Sequence, residues 1–118
     1  MGDRGNIAIQ YENGQRIYFY THWKGSQTRE IVKKALARKE RWNDDAYLAR
    51  IIFCELIDGD TDGETGFGIS PNECDPENPT IVVDTVEKKV WVDDCVSYTF
   101  QKFIGEIDNS KKTRAIDL

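Results

Sequence analysis

With 118 residues, the chain has one domain's worth of sequence. It carries a net charge of −5 and no apolar run long enough to cross a bilayer as a helix. The charge is uneven: residues 1–42 hold nine Lys/Arg against four Asp/Glu, residues 43–110 four against sixteen, and residues 111–118 three against one. That balance argues against duplex DNA, which wants a broadly basic surface.

The opening Met1-Gly2-Asp3-Arg4-Gly5-Asn6 lacks the apolar stretch of a secretory leader, so a cytoplasmic protein without a membrane partner is expected. Cys54, Cys74 and Cys95 are odd in number and widely spaced. They read as free thiols rather than a disulfide or zinc framework, with Cys54 and Cys95 packed in apolar segments.

In chain order, Ile7, Ile9 and Tyr11 alternate with Ala8 and Gln10, which predicts a half-buried strand. Asn13-Gly14 supplies a tight turn, and Arg16-Ile17-Tyr18-Phe19-Tyr20-Thr21, apolar on both faces, reads as a central strand. Ser26 is placed to cap a helix running to about Trp42, with Ile31, Val32, Ala35 and Leu36 as its apolar stripe. Asn43 then caps a second helix with Asp44 and Asp45 in its first turn. Tyr47, Leu48, Ile51, Ile52, Phe53, Leu56 and Ile57 make that helix apolar over most of its girth, and it is expected to be the buried one. The short connection predicts an antiparallel pair of helices.

An acidic loop follows at 58–64, then a short strand at 67–70, and a loop through Pro71, Pro76 and Pro79. Residues 81–84 and 89–92 read as a hairpin turning near Glu87-Lys88. Phe100, Phe103, Ile104 and Ile107 have helical spacing with Thr99 as a cap, while a strand through 96–100 competes for part of that segment. The expected fold is therefore α+β: an antiparallel sheet of hairpins packed against an antiparallel helix pair. A single domain spans 1–108 and a basic tail 109–118.

Three stretches could carry chemistry. Asp58, Asp60, Asp62 and Gly63 fill positions 1, 3, 5 and 6 of an EF-hand-type calcium loop after a helix. Ile69 stands where the bidentate carboxylate belongs, so a solvated acidic turn is the simpler reading and calcium an alternative. Arg50, set among apolar neighbours, needs either an acidic partner or a phosphate or carboxylate ligand. Thr21-His22-Trp23-Lys24-Gly25 lies between a strand and a helix N-terminus. There Trp23 could stack on a base and Lys24 and Arg29 could meet phosphate, unless Trp23 belongs to the core. His22 is the only histidine, and nothing flanking it or a cysteine marks thiol catalysis, so no catalytic residue and no cofactor is expected.

Met1-Gly2-Asp3-Arg4-Gly5-Asn6-Ile7, Thr21-His22-Trp23, Arg41-Trp42-Asn43-Asp44, Arg50-Ile51-Ile52-Phe53 and Gly63-Glu64-Thr65-Gly66-Phe67-Gly68-Ile69-Ser70 together resemble short phage and prophage proteins of the first-described Thoeris anti-defence sponge family. The resemblance implies a non-catalytic homo-oligomer in the host cytoplasm. It would sequester a cyclic nucleotide signal, of cyclic ADP-ribose or cyclic oligonucleotide type, in pockets between protomers. No ligand residue transfers one by one. The groups with fitting chemistry are Trp23 and Trp91 for bases, and Lys24, Arg29, Arg50, Lys111, Lys112 and Arg114 for phosphate. A protein–protein adaptor or inhibitor acting by contact is the other reading.

Overall fold

The computed structural model describes residues 2–60, 63 and 65–105. Six strands form one sheet: β1 (Gly5–Gln10), β2 (Arg16–Thr21), β3 (Phe67–Ser70), β4 (Ile81–Asp84), β5 (Lys89–Val92) and β6 (Val96–Thr99). Their order across the sheet is β3-β2-β1-β4-β5-β6. Every neighbouring pair is antiparallel except β1 and β4, which run parallel with Ile7 opposite Ile81. Helices α1 (Thr28–Leu36) and α2 (Asp45–Leu56) lie between β2 and β3 in the chain, and residues 100–105 are helical. The fold is α+β.

The β1–β2 hairpin turns where the sequence places it, with Asn13 and Gly14 both in the left-handed region (φ 63° and 75°). Ile7 and Ile9 point to the helices and enter the core with Val83, Val90 and Phe19. The opposite face of β1 is buried as well, because Ala8 and Asn6 are fully covered. β1 was expected to be half-buried. It is covered on both faces because it sits third in the sheet: in register, Tyr18 flanks Ala8 on one side and Val82, then Trp91, on the other.

α1 is shorter than expected and Ser26 does not cap it. A 3-10 turn, Gly25–Gln27, precedes the helix, and Ser26 donates to Asp3 instead. The helix ends at Leu36, and Lys39 and Arg41 take left-handed backbone angles that no helix continues through (φ 57° and 60°). The cap of α2 is Asp44 rather than Asn43: its carboxylate accepts from the Tyr47 backbone N–H at 3.3 Å. Leu48, Ala49, Ile52 and Leu56 of α2 pack against Ile31, Val32, Ala35 and Leu36 of α1. α2 is not buried all round, since Tyr47 and Arg50 face solvent.

The two competing readings of residues 96–107 are both partly realised. β6 runs to Thr99, whose Oγ1 then accepts the Lys102 backbone N–H at 3.1 Å and opens the helical residues 100–105. Phe100, Phe103 and Ile104 are buried in the core, and Ile107 lies outside the described residues. Cys95 sits exposed in the β5–β6 turn rather than packed, while Cys54 and Cys74 are half-buried. No helix of the described residues is long and apolar enough to cross a membrane.

Candidate ligand-binding site

The chain leaves β2 through a turn organised by one buried hydroxyl. Thr21 Oγ1 accepts from the backbone N–H groups of Trp23 (3.2 Å) and Lys24 (3.0 Å), folding the chain back toward the sheet. Gly25 then passes so close to β1 that a Cβ on it would lie 2.4 Å from the Arg4 carbonyl oxygen. Its N–H donates to the Asp3 carbonyl at 2.7 Å. Only glycine tolerates such an approach.

Asp3 is the organising charge of this region. Its carboxylate accepts from Ser26 Oγ (2.6 Å), the Ser26 backbone N–H (3.1 Å) and Asn78 Nδ2 (2.9 Å). These hydrogen bonds, led by the Ser26 hydroxyl, hold the Asp3 carboxyl below its usual range. Asn78 also donates to the Arg4 carbonyl at 2.8 Å, so the proline-containing loop is pinned to the start of β1.

Beside this arrangement lies a hollow of about 220 Å³. Its polar wall is Ser26, Thr28, Arg29 and Asn78, and its apolar wall is Pro79, Ile81 and Val92. The Arg29 guanidinium carbon lies 5.5 Å from the Tyr98 ring and 5.7 Å from the Phe103 ring. A cation held by aromatic faces, next to hydroxyl and amide groups, is suited to an oxyanion attached to a planar group.

The other expected site residues are dispersed. Lys24 Nζ donates to the Leu56 (2.9 Å) and Asp58 (3.1 Å) carbonyls and so caps the C-terminus of α2. It lines a separate cleft of about 340 Å³ in which Lys24 and Lys34 meet Glu30, Glu55 and Asp58. With three carboxylates against two ammonium groups, that cleft does not favour phosphate. Trp23 is not core: it is 51% exposed, its indole edge against Gly66 and the His22 ring. Arg50, expected among apolar neighbours, is exposed on the outer side of α2 and forms no hydrogen bond or ion pair among the described residues. Trp91 projects from the sheet face away from the helices, because Val90 and Val92 take the core face. Lys111, Lys112 and Arg114 lie outside the described residues.

His22 Nδ1 lies 3.0 Å from the Tyr20 hydroxyl. Burial is the leading cause that raises the Tyr20 pKa, so the phenol stays protonated at neutral pH. Asp62 falls outside the described residues, and among the described residues no group of three or more His, Cys, Asp or Glu is placed to hold a metal ion. Sequence reasoning singled out Arg29 but not Asn78, Thr28, Tyr98 or the bridging Asp3. These residues lie far apart in the chain, and no local pattern links them.

Compared with known proteins, the chain matches no family model, no curated protein and no solved structure.

Proposed function

We propose that this protein binds a cyclic nucleotide of cyclic ADP-ribose or cyclic oligonucleotide type and sequesters it without cleavage, as the sequence resemblance implies. The observation that carries the reading is Arg29, which lines the hollow beside Ser26, Thr28 and Asn78 and lies within 5.7 Å of the Tyr98 and Phe103 ring centres. A guanidinium supplies paired donors to a phosphate, and the neighbouring hydroxyl and amide groups suit ribose. Pockets for drug-sized ligands span about 300–1,000 Å³. At about 220 Å³ the hollow holds only part of such a ligand, and a second protomer supplies the remaining wall. The charge split between residues 1–42 and 43–110 suits that assembly.

Calorimetry with cyclic ADP-ribose and with cyclic trinucleotides tests this. The parent should bind one class at micromolar affinity or better, and Arg29→Ala should lose about 1.5–3 kcal/mol of binding, the worth of a charged hydrogen bond. A melt beside each titration separates lost binding from lost folding. Unchanged affinity in a folded Arg29→Ala protein places the ligand elsewhere, and a strict monomer by light scattering at tens of micromolar removes the shared pocket.

A further inference from the structure

We propose that the hollow beside Arg29 seats a hydrogen-bond donor, the exocyclic amino group of a nucleobase, against a side-chain wall of acceptors formed by Ser26, Thr28 and Asn78. On the nucleotide-binding reading, on which this rests, the hollow then selects among bases rather than holding any nucleotide alike.

Each of the three side chains has already spent its donors. Ser26 Oγ donates to Asp3 Oδ2 at 2.6 Å, and Thr28 Oγ1 donates to the Gly25 carbonyl at 3.1 Å. A hydroxyl has one hydrogen and two lone pairs, so both oxygens keep only acceptor capacity. Asn78 Nδ2 places its two hydrogens on Asp3 Oδ1 (2.9 Å) and the Arg4 carbonyl (2.8 Å). That fixes which way the amide points, since the reverse would set its oxygen against two acceptors. Asn78 Oδ1 is left as an acceptor with no hydrogen bond among the described residues. The backbone N–H groups of Gly25, Ser26 and Gln27 are spent as well, on the Asp3 carbonyl, the Asp3 carboxylate and the Lys24 carbonyl. The Asp3 carboxylate behind the wall draws on the Ser26 and Asn78 hydrogens and leaves their oxygens the stronger acceptors.

The other wall is Pro79, Ile81 and Val92. An apolar wall suits the flat face of a base better than a sugar, whose hydroxyls it would leave unpaired. Arg29 supplies the opposite polarity, because a guanidinium has donors only. A ligand that matches both presents an amino group to Ser26, Thr28 and Asn78 and an oxyanion to Arg29. An aminopurine nucleotide carries the two together. A carbonyl oxygen in place of the amino group would face oxygens that have no hydrogen left to give, and unmade hydrogen bonds of this kind are costly. The wall therefore accepts adenine and refuses hypoxanthine.

Calorimetry on the full chain compares cyclic triadenylate with cyclic triinosinate, and cyclic ADP-ribose with its hypoxanthine counterpart. Whichever adenine ligand binds, its hypoxanthine counterpart should bind roughly tenfold or more weakly, because a site built to pair a donor rejects the analogue that lacks it. Cyclic tri-2′-deoxyadenylate should bind as cyclic triadenylate does. In Asn78→Leu, checked for folding by a melt, the adenine preference should fall; Ser26→Ala, at an exposed position, serves the same comparison if Asn78→Leu does not fold. Equal affinity for an adenine ligand and its hypoxanthine counterpart overturns the proposal and leaves sequestration standing. So does binding lost with the deoxy ligand but kept with the hypoxanthine one, which gives the acceptors to ribose. An undiminished adenine preference in the folded variant overturns it too, because the base is then read elsewhere. Binding of no cyclic nucleotide at all contradicts the nucleotide reading itself and this proposal with it.

Discussion

Asp3 shows how one side chain can hold three segments that the chain presents far apart. It joins the start of β1, the turn before α1 and the loop at Asn78. Its carboxyl is held below the usual value of 3.8 by Ser26 and Asn78. A carboxyl with a lowered folded-state pKa binds fewer protons folded than unfolded, so its contribution is complete above pH 3.8 and is lost as pH falls through the folded value. Acid should therefore loosen the α1 junction below about pH 4. Melting temperatures of the parent and Asp3→Asn, followed from pH 6 to pH 2, should differ at pH 6 and converge at the acid end. A gap that stays constant over that range removes Asp3 from the account. Arg16 plays a similar joining role on the other sheet face. Its Nη2 lies 2.8 Å from Asp94, which raises the Arg16 pKa and keeps it charged, and its Nε donates to Gln10 at 2.7 Å.

At the scale of elements, the two ends of α2 are fixed by different chemistry. Asp44 caps the N-terminus, and the Lys24 ammonium covers the C-terminal carbonyls and lies 5.5 Å from the Phe67 ring centre. Lys24→Met keeps the stem and removes the charge, so it should cost about 1 kcal/mol of stability. Denaturant unfolding would read this. On the proposed reading its nucleotide affinity should match the parent's, and a loss of affinity at full folding would return Lys24 to the ligand site. Five strands and both helices were legible in the sequence because their signals are local: Asn13-Gly14 for the first turn, alternation or β-branching at 7–9, 16–21, 81–84 and 89–92, and a short run at 67–70 between the acidic and proline-containing loops. β6 was legible only as a competitor to a helix, since Val96–Thr99 and the i, i+3, i+4 spacing from Phe100 overlap at Thr99. The errors fell where a distant partner decides. Ser26 was read as a cap because nothing in its neighbourhood announces Asp3. Likewise, α1 was extended to Trp42 because left-handed angles at Lys39 and Arg41 carry no residue signature such as glycine. Arg50 looked buried because its neighbours are apolar, but position 50 falls on the outer side of α2, away from Leu48, Ala49 and Ile52.

For the whole molecule, the sheet is covered by helices on one face, and its two edges differ in what they carry. At the β6 side lies Arg29, which lines the hollow and sits over the Tyr98 and Phe103 rings. At the β3 side Phe67–Ser70 carries no charge, and Ile69 is exposed. Under the proposed function the protein holds a cyclic nucleotide and gives it back intact. The most direct measurement is to mix protein with cyclic ADP-ribose or a cyclic trinucleotide, remove free ligand by filtration, heat-denature the protein and identify what is released by mass spectrometry. Release of the unaltered cyclic nucleotide in stoichiometric proportion to protomers is expected, and much less from Arg29→Ala. Recovery of a linear or hydrolysed product, or of no nucleotide from the parent, would contradict it.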